Sequence, residues 1–456
     1  MSASSELLKL EPMNETRLLL DGTRIIDHRL EVPLDGSAPA ERNGSERITV
    51  YAREFIGAEA QAKGELHVSA LPVLLFLQGG PGGKGNRPAR LSGWMAEAAK
   101  DFRIIMLDQR GTGLSSALNR HSLTARGAVA EQVAYLRHFR ADSIVKDAEA
   151  LREHLGVNSW SVLGQSYGGF CALSYLSFAP EHLDRVMITG GLAPVTGHAD
   201  RVYQHTYRLM AARNAEYFAR FPEDRQRLDE IISYVRKQKS AGAPVRLLDG
   251  SELTIPRLQM LGMLLGGNTR VDSLHYVLEE AFTTGADGAQ PTLSDTFLAS
   301  VGQQASFAAS PMYAVLHESI YGLPGETPTN WSAERVLEQF PAFAADAESP
   351  LLTGEMIFRE HVQQDPVLAP LYETANALAQ ISDWDPLYDL EQLGRNQVPA
   401  AAAVYTDDVY VARELSLETA ARVANLSVWE TDEFHHDGLN DDGPMILREL
   451  LHRTEH

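Results

Sequence analysis

The chain has 456 residues, 44% hydrophobic and 22% charged, a globular composition that excludes a disordered, collagen-like or disulfide-scaffolded protein. A total of 40 Lys and Arg against 61 Asp and Glu leaves a formal charge of −21, which repels phosphate backbones and sets nucleic acid aside as a partner. Cys171 is the single cysteine, so no internal disulfide forms. The length implies two or three domains. The acidic balance reads first as a solvated surface, and second as a field favouring cationic ligands such as peptides with a free amino end.

The N-terminus lacks a basic start followed by an apolar run, so no signal peptide is visible. No stretch of about 18 apolar residues offers a membrane span, and the expected location is the cytoplasm. In chain order, residues 47–55 alternate as a strand. Residues 72–77 (PVLLFL) and 102–107 (FRIIML) are short apolar runs, broken by QGGPGG and DQRGTG. Residues 142–155 have helical spacing, with an acidic residue in the first turn. A strand over SWSVLG, the turn GQSYGG, a buried helix ending at Pro180 and a strand over 184–190 follow. Strands alternating with helices predict a parallel sheet covered on both faces.

From 197 to about 380 the pattern becomes helical, interrupted by Gly/Pro/Thr-rich stretches. Strand–helix alternation returns with a strand at 399–405, a helix at 411–424, a strand at 426–430 and a last helix at 443–454. The expected organisation is an α/β core in two parts, 1–194 and 386–456, split around a helical insertion over 195–385.

Gly164-Gln165-Ser166-Tyr167-Gly168 fits G-x-S-x-G between a strand and a helix. A sharp turn there lifts the serine hydroxyl off the sheet, and the following helix aims backbone N–H groups at developing negative charge. A serine hydroxyl is a weak nucleophile and needs a base and an orienting acid. Two later loops sit where such partners belong. Thr406-Asp407-Asp408 follows one strand, and Asp432 to Gly438, with His435 and His436, follows the next. The residues alone leave the choice within each Asp and His pair open. Gln78 to Gly83 suits an oxyanion hole. A phosphate loop is the rival, but Lys84 is followed by Gly85 and not by Ser or Thr. Helical geometry turns Cys171 into the core, and no His/Cys/carboxylate cluster has metal spacing, so neither metal nor cofactor is expected.

Together QGGPGG, DQRGTGLSS, FRADSIVKDAE, GQSYGGFC, TGEMIF and EFHHDGL resemble the proline iminopeptidases (prolyl aminopeptidases) of larger type, from about residue 65 to the end. Smaller members usually open the glycine loop with His, where this chain has Gln78. The resemblance implies an α/β-hydrolase fold with an inserted helical cap, and metal-free serine-dependent removal of N-terminal proline from peptides. It matches Ser166 to the nucleophile, Asp408 to the acid through A-V-Y-x-x-D-x-Y-V, and His436 to the base through E-[F/Y]-x-H-x-G-L. Gly80 and Tyr167 match the oxyanion-hole donors, and Asp108 to Gly111 match a supporting loop. The family recognises the substrate amine with cap carboxylates, because an ammonium in a partly dry pocket needs a charge partner. Glu318 and Glu355 lie among apolar residues and are expected to bind it. Glu334 reads as an exposed helix residue. Trp331, Phe358 and Tyr321 are candidates for an apolar wall, with a core role the simpler reading for each. The rival function is a hydrolase of the same fold acting on a non-peptide ester or amide, since pockets set the substrate. Oligomeric state has no signal in the sequence.

Overall fold

The computed structural model describes residues 16–36, 46–268, 270–284 and 291–455. These residues form eleven strands: β1 (Thr16–Leu18), β2 (Arg24–Pro33), β3 (Arg47–Ile56), β4 (Val73–Leu77), β5 (Arg103–Asp108), β6 (Trp160–Gln165), β7 (Leu183–Thr189), β8 (Phe282–Thr283), β9 (Thr292–Leu293), β10 (Ala400–Tyr405) and β11 (Leu426–Thr431). Nine make one sheet in the order β1-β2-β3-β5-β4-β6-β7-β10-β11, and β8 and β9 pair separately. From β5 to β11 every neighbouring pair is parallel, while β1, β2 and β3 run antiparallel at one edge.

Every residue of β4 (VLLFL) and β10 (AAAAVY) is buried, as strands covered on both faces require. Alternate residues serve opposite faces. Leu75, Leu77, Val162, Ile188 and Ala402 pack beneath helices Ala141–His154 and Tyr167–Phe178. Leu74, Phe76, Leu163, Met187 and Ala403 pack beneath helices Gly93–Ala98 and Gly438–Arg453. The last helix has a break at Asp442, where φ is −140° and ψ 68°. Asp442 Oδ1 accepts the Met445 N–H at 3.1 Å, and Pro444 sits in the first turn, so the piece after the break begins where the sequence signals it. Cys171 is fully buried, and burial pushes its thiol pKa up, consistent with a packing role.

β2 carries no clean strand signal, because Asp27, His28, Arg29 and Glu31 interrupt its apolar residues. Cross-strand partners absorb part of that charge. His28 meets Glu54 of β3 at 2.9 Å, and Arg53 Nε donates to Asp27 Oδ1 at 2.7 Å. Between β7 and β10 the described residues are mostly helical, including the long helices Ala199–Arg220 and Pro222–Ser240, and none joins the nine-stranded sheet. No helix among the described residues is long and apolar enough to cross a membrane.

Candidate active site

The site follows from strand order. β4 and β6 are neighbours, with Leu77 opposite Gly164, but the chain leaves them towards opposite sides of the sheet, β4 to β5 and β6 to β7. Ligands of open α/β sheets bind at such a switch point, beyond the carboxyl ends of the strands. The loop 78–83 after β4 and Ser166 after β6 therefore meet. β10 and β11 are parallel neighbours, with Tyr405 opposite Thr431, so their following loops meet as well.

Ser166 has φ 53° and ψ −125°, a conformation that costs a non-glycine residue roughly 1–3 kcal/mol and is held by its surroundings. Its flanking glycines are steric requirements. A Cβ on Gly168 would overlap the Leu77 carbonyl oxygen, and one on Gly164 the Gly168 carbonyl oxygen. A Cβ on Gly79 would stand 3.1 Å from that of Ser166, so the glycine loop runs directly beside the serine. Tyr167 opens the next helix, and its N–H belongs to the first turn, which lacks intrahelical acceptors. Gly80 lies in the wall of the cavity that contains Ser166.

His436 Nδ1 stands 2.9 Å from Asp408 Oδ2 and 3.1 Å from Oδ1, and both residues are buried. The Tyr410 and Val411 N–H groups each donate to Asp408 Oδ1 at 2.9 Å. A carboxylate only accepts, so Nδ1 carries the proton and Nε2 is left to accept one. Burial alone would lower the His436 pKa. The charge of Asp408 and its hydrogen bond outweigh burial, aided by Glu355 and Asp437, and raise the pKa to about 9. The neighbouring pair faces elsewhere: His435 Nδ1 lies 3.2 Å from the Asp407 carbonyl oxygen, and Asp407 is exposed.

Ser166 and His436 line one cavity of about 580 Å³ with the glycine loop and Tyr410. Met263, Arg270, Met312, Tyr313 and Glu355, from the segment between β7 and β10, complete much of its wall. Glu355 Oε1 accepts the Tyr313 hydroxyl at 2.5 Å. Glu318 is placed differently. Its two carboxylate oxygens accept the Ser332 and Ala333 N–H groups, each at 2.9 Å, at the start of helix Ser332–Val336, and it is not among the cavity-lining residues. Burial pushes its carboxyl pKa up against those two hydrogen bonds. Glu334 pairs with Arg359 at 3.1 Å. Trp331, Phe358 and Tyr321 are buried outside this wall. Nothing in residue spacing marks Tyr313, which only the tertiary structure brings to Glu355.

The Asp108–Gly111 loop braces the glycine loop at both ends. Gln109 Nε2 donates to the Gln78 carbonyl at 2.8 Å, and Asp108 Oδ1 accepts the Gly85 N–H at 2.9 Å. Arg110 is anchored by a bidentate bond to buried Asp147, at 2.7 and 2.6 Å, and donates to the Leu34 and His138 carbonyls. Among the described residues no group of three His, Cys, Asp or Glu is placed to hold a metal ion.

The sequence profile of the alpha/beta hydrolase fold matches residues 72–238. A proline iminopeptidase of Aeromonas sobria is 42% identical over 435 residues, covering 95% of this chain and 97% of that protein. A proline iminopeptidase of Aspergillus aculeatus is 33% identical over 449 residues, covering 94% and 93%. A proline iminopeptidase of Lactobacillus helveticus is 33% identical over 141 residues only, 30% of this chain and 42% of that protein. The two long matches cover so much of the chain that the similarity extends upstream of residue 65, where the motifs set its start. With likeness at this level over nearly the whole of both chains, this protein belongs to the proline iminopeptidase family of α/β hydrolases.

Proposed function

We propose that this protein is a serine exopeptidase that releases N-terminal proline from peptides. The observation that carries the reading is the joint presence of Ser166, His436 and Glu355 in one cavity, in a chain of this family. Ser166 Oγ attacks the prolyl carbonyl carbon while His436 Nε2 takes its proton, and Asp408 holds the imidazole in the required tautomer. The Gly80 and Tyr167 N–H groups receive the oxyanion. As the tetrahedral intermediate collapses, His436 returns the proton to the leaving amine and a prolyl ester forms on Ser166. Water, deprotonated by the same imidazole, then releases proline and restores the serine.

Glu355 pairs with the ring ammonium of the substrate, with Tyr313 aiming its carboxylate. The capping geometry of Glu318 supports a different task, holding the start of helix Ser332–Val336. The segment 195–385 serves as a cap domain over the core formed by 1–194 and 386–456, a division supported by the lining that residues 263–355 supply.

A panel of aminoacyl arylamides tests the reading. Prolyl arylamide is expected to exceed alanyl arylamide in kcat/KM by at least about 10- to 200-fold, the scale of a single methylene in a fitted pocket. Equal rates across the panel would instead favour a general amidase or esterase.

The raised pKa of His436 sets the expected pH dependence. Only the neutral imidazole accepts a proton, so inactivation by a small neutral fluorophosphonate should accelerate as pH rises, with a midpoint near the pKa of about 9. Asp408→Asn removes the charge that holds the pKa up, so the midpoint should fall along with the rate. A wild-type midpoint at or below the ordinary histidine value would contradict this account.

A further inference from the structure

Tyr410 makes contacts that none of the roles above explains. Its N–H donates to Asp408 Oδ1 at 2.9 Å, and its ring stands edge-on to His436 at a centroid distance of 5.0 Å and an angle of 73°. The far end of the same ring reaches into the helical segment between β7 and β10. The hydroxyl donates to the Met263 carbonyl at 2.7 Å. A Cβ on Gly266 would overlap the ring, and one on Gly354 would stand 3.3 Å from Cε1. Gly354 precedes Glu355, and Met263 and Glu355 both line the cavity with Tyr410 itself. One residue, 4% exposed, therefore meets the acid through its backbone N–H, and the base and the segment that carries the amine-facing carboxylate through its side chain.

We propose that Tyr410 is a positioning residue with two separable tasks: its ring fixes the face of His436, and its hydroxyl docks the 260–266 segment so that the Glu355 wall stands at the right distance from Ser166. Gly266 is the counterpart, since only a residue without Cβ allows the approach. A phenol bonded to a backbone carbonyl in a buried setting suits this task, because it is directional and Phe cannot reproduce it. The inference rests on the proposed peptidase reading, because the amine-facing wall is what the hydroxyl holds in register.

Three variants test it with two readouts: KM and kcat on prolyl arylamide, and the second-order rate of inactivation by a small fluorophosphonate, which reports Ser166 and His436 without using the amine site. Tyr410→Phe keeps the ring and loses one hydrogen bond. It is expected to raise KM by about 3- to 10-fold, while inactivation slows less than the KM rises. Tyr410→Leu also removes the ring, and inactivation should then slow by about 10-fold or more. Gly266→Ala should reproduce the KM effect with Tyr410 intact. An unchanged KM in Tyr410→Phe overturns the docking role. Inactivation slowed in Tyr410→Phe as strongly as in Tyr410→Leu overturns the division of tasks. Circular dichroism and thermal melts identify a variant that fails to fold, in which case Gly266→Ala and Tyr410→Phe decide between themselves. If the parent protein reacts with fluorophosphonate but ignores prolyl arylamide, the peptidase reading fails, a result distinct from any of these.

Discussion

Ser166→Ala, Asp408→Asn and His436→Gln are each expected to lower kcat by about 10⁴-fold or more, some 5.4 kcal/mol of transition-state stabilisation. The three act as a unit, so a double variant should be little worse than its more damaged parent. The adjacent residues are the controls. Asp407 is exposed and His435 lies on its backbone carbonyl, so Asp407→Asn and His435→Gln remove neither the proton acceptor nor its orienting carboxylate. These two variants should keep most of the wild-type turnover. Steady-state rates on prolyl arylamide decide the matter, and an inactive His435→Gln beside an active His436→Gln would reverse the assignment within the pair. Asp408→Asn is the most informative of the three. The Tyr410 and Val411 N–H groups that donate to Asp408 Oδ1 preserve the loop, so the loss isolates the tautomer and charge of His436.

Acetylation of the substrate nitrogen should abolish cleavage of prolyl arylamide. The acetyl group removes the positive charge that Glu355 is proposed to meet and adds bulk on the side of the cavity that residues of the helical segment line. Glu355→Gln should lower kcat/KM for the free substrate by about 10- to 100-fold, the scale of a charged hydrogen bond, because Glu355 is only partly buried. The same variant should spare acylation of Ser166 by a small neutral ester, which uses no amine contact. Comparable rates on free and acetylated substrates would sink the exopeptidase reading and promote the ester or amide alternative. Glu318→Gln is expected to act through stability, because its oxygens are taken by Ser332 and Ala333 N–H groups and not by the cavity.

Within the α/β part, much of the fold and the candidate serine turn were legible in the sequence. Strands buried on both faces must be continuous apolar runs, and the turns that end them must carry glycine where backbones touch. PVLLFL before QGGPGG and SWSVLG before GQSYGG therefore announce their structure locally, and the Gly168 contact with the Leu77 carbonyl gives the steric reason. Strand β2 was not legible, because Asp27 and His28 look like loop residues until the neighbouring strand brings Arg53 and Glu54 to them. The choices within Asp407/Asp408 and His435/His436 were equally closed to residue reasoning alone. Both members of each pair have the same chemistry. The family resemblance picked out Asp408 and His436, and the physical distinction is the packing that buries these two against one another. Glu318 and Glu355 carry the same sequence signal, a carboxylate among apolar neighbours. A helix N-terminus claims the first, the cavity and Tyr313 receive the second, and that division depends on contacts across 14 to 42 residues of chain that no local pattern encodes.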